Sequence, residues 1–155
     1  MVTEVLQSEF EALKNELIAK YDELGMRASG NFAESLEVQV NDTKAVLLGA
    51  NYAEQLEYGR KAGKFPPIAQ IEQWINYKGI MSNIQGKISV SSLAFLIARK
   101  IARVGWKREE FGGVELITQV VTPERIQQIL DKVSDIYLGT LTSDIQKVII
   151  KEFAA

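Results

Sequence analysis

Residues 52–67, YAEQLEYGRKAGKFPP, constrain this chain more than any other stretch. A short amphipathic helix fits residues 52–58, with Asn51 as its cap and Tyr52, Ala53 and Leu56 facing the core. Gly59 suits the left-handed residue that ends many helices. A basic loop follows, carrying Arg60, Lys61 and Lys64. Pro66 and Pro67 then restrict the backbone, and the second suits the first position of a new helix. The stretch therefore reads as a structural elbow. Within it, Glu57 stands near a helix C-terminus, where the dipole disfavours an acid. It needs a compensating donor, either Arg60 or a loop amide.

On the N-terminal side of the elbow, Leu6, Phe10, Leu13, Leu17, Tyr21 and Leu24 recur at intervals of four and three, which makes one helical stripe. Thr3 is the expected cap, Glu4 sits in the positive first turn, and Gly25 is the expected stop. The stripe either packs on its own domain or forms a coiled-coil-like contact between subunits. Residues 28–34 read as a turn or short helical segment. Leu36, Val38 and Val40 then alternate with Glu37 and Gln39 as a half-buried strand. Asn41-Asp42 supplies turn chemistry, and residues 45–48, AVLL, read as a more buried partner strand.

Beyond the elbow, Ile68, Ile71, Trp74 and Ile75 follow at helical spacing up to Gly79. A polar loop spans residues 81–88. Ser91 or Ser92 is expected to cap a helix bearing Leu93, Leu96, Ile97, Ile101 and Val104, with Ala94, Ala98 and Ala102 on neighbouring faces and Gly105 at its end. Residues 106–113, WKREEFGG, read as an exposed, mobile loop. Thr122-Pro123-Glu124 is a helix start, and Ile126, Ile129, Leu130 and Val133 continue into Leu138, Leu141, Ile145, Val148 and Ile149. Gly139 is expected to kink or split that helix. These readings predict an α+β fold in a single domain over residues 1–155. It is mainly helical, with a small antiparallel hairpin at about residues 35–49 packed against helices.

Composition narrows the chemistry. The 155 residues include no cysteine and no histidine, which removes thiolate nucleophiles, disulfides and the commonest general base and metal ligand. The formal charge of -2 gives no global field for nucleic acid. No basic start with an apolar run marks a signal peptide, and no apolar run approaches the roughly 20 residues of a membrane span. A soluble protein that uses no cofactor or metal is expected.

Three constellations could carry chemistry. Glu54 with Glu57, and Glu109 with Glu110, are paired acids, but they read as solvated charged faces. Arg99, Arg103 and Lys107 recur every four residues and would form a positive ridge able to neutralise phosphates, with Lys100 and Arg108 nearby. That ridge supports an alternative role as a nucleic-acid-associated accessory protein. Residues 59–63, GRKAG, lack the lysine-serine/threonine ending of a phosphate-cradling loop. Trp106 and Phe111 are large apolar groups in a charged segment, so with Arg60, Lys61, Lys64, Lys107 and Arg108 they form the candidate interface. The other reading places both aromatics against the chain's own core.

Two stretches together resemble a known family. Ser29-Gly30-Asn31-Phe32-Ala33-Glu34-Ser35-Leu36 is similar to the threonine/serine-glycine, then leucine, then serine-leucine pattern before the first strand of bacteriophage tail-completion and neck proteins. Asn51-Tyr52-Ala53 through Leu56-Glu57-Tyr58-Gly59 resembles their asparagine-tyrosine-alanine and glutamate-tyrosine-glycine motif after the second strand. Gly63-Lys64-Phe65-Pro66-Pro67, with Ile71, Trp74, Lys78 and Gly79, resembles the longer members, as do Ala98-Arg99-Lys100-Ile101 and Gly105. The resemblance covers about residues 28–113. Phe32 departs from it where leucine is common, and the C-terminal helical region exceeds that of the shorter members.

The resemblance implies a non-enzymatic virion component made in the host bacterial cytoplasm. Copies would form a ring, commonly sixfold, between connector and tail, touching stopper, terminator or tail-tube proteins. Genome DNA could pass through such a ring without specific recognition. Motif residues Gly30, Tyr52, Ala53, Glu57, Tyr58, Gly59, Pro66, Pro67 and Trp74 would hold the body together.

Overall fold

The structure, a computed structural model, describes residues 1–42, 44–50, 53–84, 86, 88–106 and 115–154. The fold is α+β and mainly helical. Helix α1 (Val2–Glu23) leads to a short α2 (Asn31–Ser35) and to a hairpin of β1 (Glu37–Val40) and β2 (Ala45–Leu48). Then come α3 (Ala53–Tyr58), α4 (Ile68–Lys78), a 3-10 turn (Ile80–Asn83) and α5 (Val90–Val104). Helices α6 (Leu116–Val120) and α7 (Pro123–Ala154) complete the order.

The predicted stripe of α1 faces inward, with Leu13, Leu17 and Tyr21 buried. Tyr21 stacks on Phe32, ring centroids 4.4 Å apart. Leu17, Tyr21, Met26, Phe32, Leu36 and Leu116 form the main core. Phe32, the departure from the family pattern, is therefore a core residue. The helix starts at Val2 with Met1 as its cap and no side-chain cap bond, so Thr3 is helical instead. Gly25, at φ 66°, follows the last turn as expected.

Strands β1 and β2 pair antiparallel, with Val38 opposite Leu47 and Glu37 opposite Leu48. The hairpin packs on α1. Only one face of a two-stranded sheet is covered in this way. Strand β2 is accordingly half-buried, and Leu48 is exposed, contrary to the expectation from its unbroken apolar sequence. Ser35 ties the two ends of the hairpin. Its Oγ donates to the Phe32 carbonyl (2.6 Å) and accepts from the Ala50 amide (3.1 Å).

Helices α4 and α5 pack together, and Ile75, Ala94 and Ala98 are fully buried. The alanines, and not Leu96 or Val104, make the inward face of α5, because small side chains let a neighbouring helix approach closely. Leu96 and Val104 are exposed, as is Trp74 on α4. Pro66 is buried, while Pro67 takes the cap position of α4 one residue before the helix proper. Ser89 caps α5 by accepting from the Ser92 amide (3.1 Å), in place of Ser91 or Ser92. Thr122 caps α7 as predicted, accepting from the Arg125 amide at 3.1 Å. Gly139 does not split α7, which is one helix of 32 residues.

A charged cluster clamps α7 to α1. Arg125 pairs with Glu16 (3.0 Å) and with buried Glu9 (2.8 Å), and Lys132 also reaches Glu9. The hydrogen bonds from Lys132 and then Arg125 hold the Glu9 carboxyl below its ordinary value of 4.5. A carboxylate whose folded pKa is depressed contributes stability in full above its unfolded pKa. That contribution is lost as the pH falls from there through the folded value. We predict that Glu9→Gln melts at a lower temperature than the wild type at pH 7, with the gap closing as the pH falls through and below about 4.5. Thermal melts across pH 3–7 test this, and a gap that stays constant with pH contradicts it.

Candidate assembly site at the elbow

The elbow closes on a tertiary helix cap. Glu57, in the last turn of α3, is only 3% exposed. Its carboxylate accepts the main-chain N–H of Ile117 (2.6 Å) and of Thr118 (3.1 Å), together with the Thr118 hydroxyl. Those amides belong to the first turn of α6, where N–H groups lack partners within their own helix. The Glu57 carbonyl also accepts the Glu115 amide (2.6 Å). The compensating donors are thus loop and helix amides. Arg60 instead donates to the Lys64 carbonyl (3.3 Å) and shapes its own loop.

An acid that is unfavourable at the C-terminal end of α3 becomes favourable at the N-terminal end of α6. Its oxygens accept three hydrogen bonds, which makes Glu57 a structural acceptor at this joint. It is also not part of a solvated face with Glu54, which alone of the pair is exposed. Glu109 and Glu110 lie outside the described residues. Among those described, no group of His, Cys, Asp and Glu could hold a metal ion.

Backbone geometry redirects the chain beyond Glu57. Gly59 has φ 77°, and its amide donates to the Gln55 carbonyl (2.7 Å). A Cβ in this region costs about 1–2 kcal/mol, which accounts for glycine at the turn. Arg60 and Trp106 then form an antiparallel bridge through both main-chain bonds, at 2.8 and 2.7 Å. The Gly63 amide donates to the Ala102 carbonyl at 2.8 Å. Gly105 permits this approach, because a Cβ there would lie 2.3 Å from the Arg60 carbonyl oxygen. The loop is pinned to the end of α5.

The structure therefore brings Arg60 and Trp106 together, around a cavity of about 210 Å³ that Gln55, Leu56 and Ile101 also line. Lys61 and Lys64 point to solvent. Gly30, at φ 88°, opens α2, and Ala53 packs against the core. Tyr58 departs from its expected structural role. It is 75% exposed, so it is available for contact. Phe65 and Phe95 add a tilted pair of exposed rings 5.8 Å apart. Tyr52, Lys107, Arg108 and Phe111 lie outside the described residues. Arg99, Lys100 and Arg103 are exposed on α5.

Sequence reasoning missed two features. Helix α6, with its partner in Glu57, was hidden because LITQV is too short to show a period. The Glu9–Arg125 cluster did leave a signal: Glu9 and Glu16 are seven residues apart, as are Arg125 and Lys132. Matched heptad spacing of opposite charges on two amphipathic helices predicts their pairing. The chain matches no protein family, no curated protein and no solved structure.

Removing the Glu57 carboxylate leaves two amides and a hydroxyl without their acceptor. Bonds to charged groups are each worth about 1.5–3 kcal/mol. Glu57→Ala removes three such bonds and is predicted to lose at least about 4 kcal/mol, lowering Tm by roughly 8 °C or more. Arg60→Ala should change stability by less than about 0.5 kcal/mol. Calorimetry that ranks the two variants in the opposite order contradicts the assignment of the cap to Glu57.

Proposed function

We propose that this chain is a structural virion protein of a tailed bacteriophage, a tail-completion or head–tail connector component that forms a ring at the neck. The observation that carries the reading is the role of the motif residues. Glu57 and Gly59, with Ser35 and Leu36 of the earlier motif, hold the elbow and the hairpin in place and offer no reactive group. The part of the chain that resembles neck proteins is thus scaffold, and the exposed surface is left for contacts. Exposed Tyr58, Phe65, Trp74 and Tyr77 suit a chain that works by touching neighbours.

A ring follows from head-to-tail contacts whose rotation closes. The basic loop at Arg60, Lys61 and Lys64 stands beside Trp106 and is anchored at its base, which suits a contact segment on a rigid body. Gold-labelled antibody against the chain is predicted to decorate the head–tail junction of the particles that contain it. Label confined to the capsid shell or the distal tail, or no label on intact and disrupted particles, contradicts the proposal.

A further inference from the structure

The elbow loop and the C-terminal half of α5 lie side by side, and their charges are brought together with them. The loop runs along the helix in the opposite direction. Arg60 pairs with Trp106, the Gly63 amide reaches the Ala102 carbonyl, and the Phe65 ring meets Phe95 at 5.8 Å between centroids. On α5, Phe95, Arg99 and Arg103 stand four residues apart, so they share one face at steps of about 6 Å along the axis. That face borders the loop, because Phe95 on it touches Phe65.

The resulting strip gathers six cations. Arg60, Lys61 and Lys64 come from the loop, and Arg99, Lys100 and Arg103 from α5. No acid interrupts residues 59–65 or 95–106. Among the described residues, none of the six takes part in an ion pair. The rest of the chain has 12 Lys and Arg against 20 acids, so the positive field is confined to this strip. Steps of about 6 Å fall within the screening length of about 8 Å at physiological salt, so neighbouring cations act together. Like charges at this spacing also repel one another, a cost that an anionic partner removes.

Two observations favour a nucleic acid over an acidic protein surface as that partner. Three of the six cations are lysines, which protein–protein interfaces disfavour, whereas nucleic-acid interfaces are strongly positive. The second is the ring pair at the end of the strip. Phe65 is 47% exposed and Phe95 46% exposed, beside Lys64 and one turn from Arg99. Unpaired bases stack on exposed rings while their phosphates follow a basic track. The bases of a duplex are already stacked on each other, so the rings select a single strand. We propose that this strip binds single-stranded nucleic acid without sequence preference. Phosphates lie along Arg60, Lys64, Arg99 and Arg103, and a base stacks on the Phe65–Phe95 pair.

Fluorescence anisotropy tests this with labelled oligodeoxythymidylate and oligouridylate of about 16 nucleotides. At least one should bind, and the tighter of the two identifies the sugar. With four or more phosphates neutralised, affinity should fall about 50-fold or more between about 50 and 200 mM salt. Arg99→Gln/Arg103→Gln alters exposed positions, should keep the wild-type melting temperature, and should weaken binding about tenfold or more at the lower salt. Phe65→Leu keeps an apolar contact with Phe95 but loses the ring, and should weaken binding about fivefold or more. Lys147→Gln/Lys151→Gln removes the same charge from α7 and should bind as the wild type does. Four results overturn the proposal: no binding of either strand at the lower salt, affinity independent of salt, unchanged affinity in the Arg99/Arg103 variant, or equal affinity for a duplex of the same length or for polyglutamate. The inference stands apart from the neck reading. Antibody label at the neck without oligonucleotide binding removes only the strip's role, and binding with label elsewhere removes only the neck role.

Discussion

The Glu57 carboxylate joins two helix ends that would otherwise be poorly satisfied. It ends α3 and begins α6, occupying a buried position between elements about 60 residues apart in sequence. The arrangement also places Leu116, at the start of α6, in the main core with Leu17 and Tyr21 of α1. From α6 the chain passes through Thr122 into α7, which the Glu9–Arg125 cluster then clamps antiparallel to α1. The direction in which α7 leaves the body thus follows from where α6 is capped. Breaking that cap would free the start of α7 as well as the elbow.

Around this joint the molecule divides its labour. Glycines at 59 and 105 let the Arg60 loop lie against the end of α5, so a basic segment that could have waved in solvent is anchored at its base. Alanines at 94 and 98 bring α5 close to α4 without bulky packing. The large apolar side chains left over are exposed on α4, on α5 and along the second half of α7. A well-satisfied interior beside these exposed apolar side chains is the physical basis of the proposal that the chain is an assembly component.

Much of the fold was legible because its signals were periodic or terminal. The α1 stripe, the Val38–Val40 alternation, Gly59, Gly79 and the Thr122-Pro123 start each act through local geometry that a sequence displays directly. Failures arose where tertiary partners decided the outcome. Trp74 and Leu96 are apolar and correctly spaced, yet each stays 42% exposed in the single chain. Residues 45–48 look like a central strand, but a two-stranded sheet has an uncovered face. The motif around Glu57 was visible as an elbow. Its function as the cap of α6 was not, because the donor helix is five residues long and distant in sequence. Ser89 displaced Ser91 and Ser92 because three nearby serines compete for one cap, and propensity does not separate them.

The account's central claim is that the buried Glu57 carboxylate caps α6 and so joins α3 to the segment that leads into α7. Amide hydrogen exchange of the wild-type chain and of Glu57→Ala, read by mass spectrometry, tests it. The account predicts that peptides containing Ile117 and Thr118 are protected in the wild type and exchange faster in the variant. Equal protection of Ile117 and Thr118 in the two proteins, or rapid exchange there in the folded wild type, contradicts it.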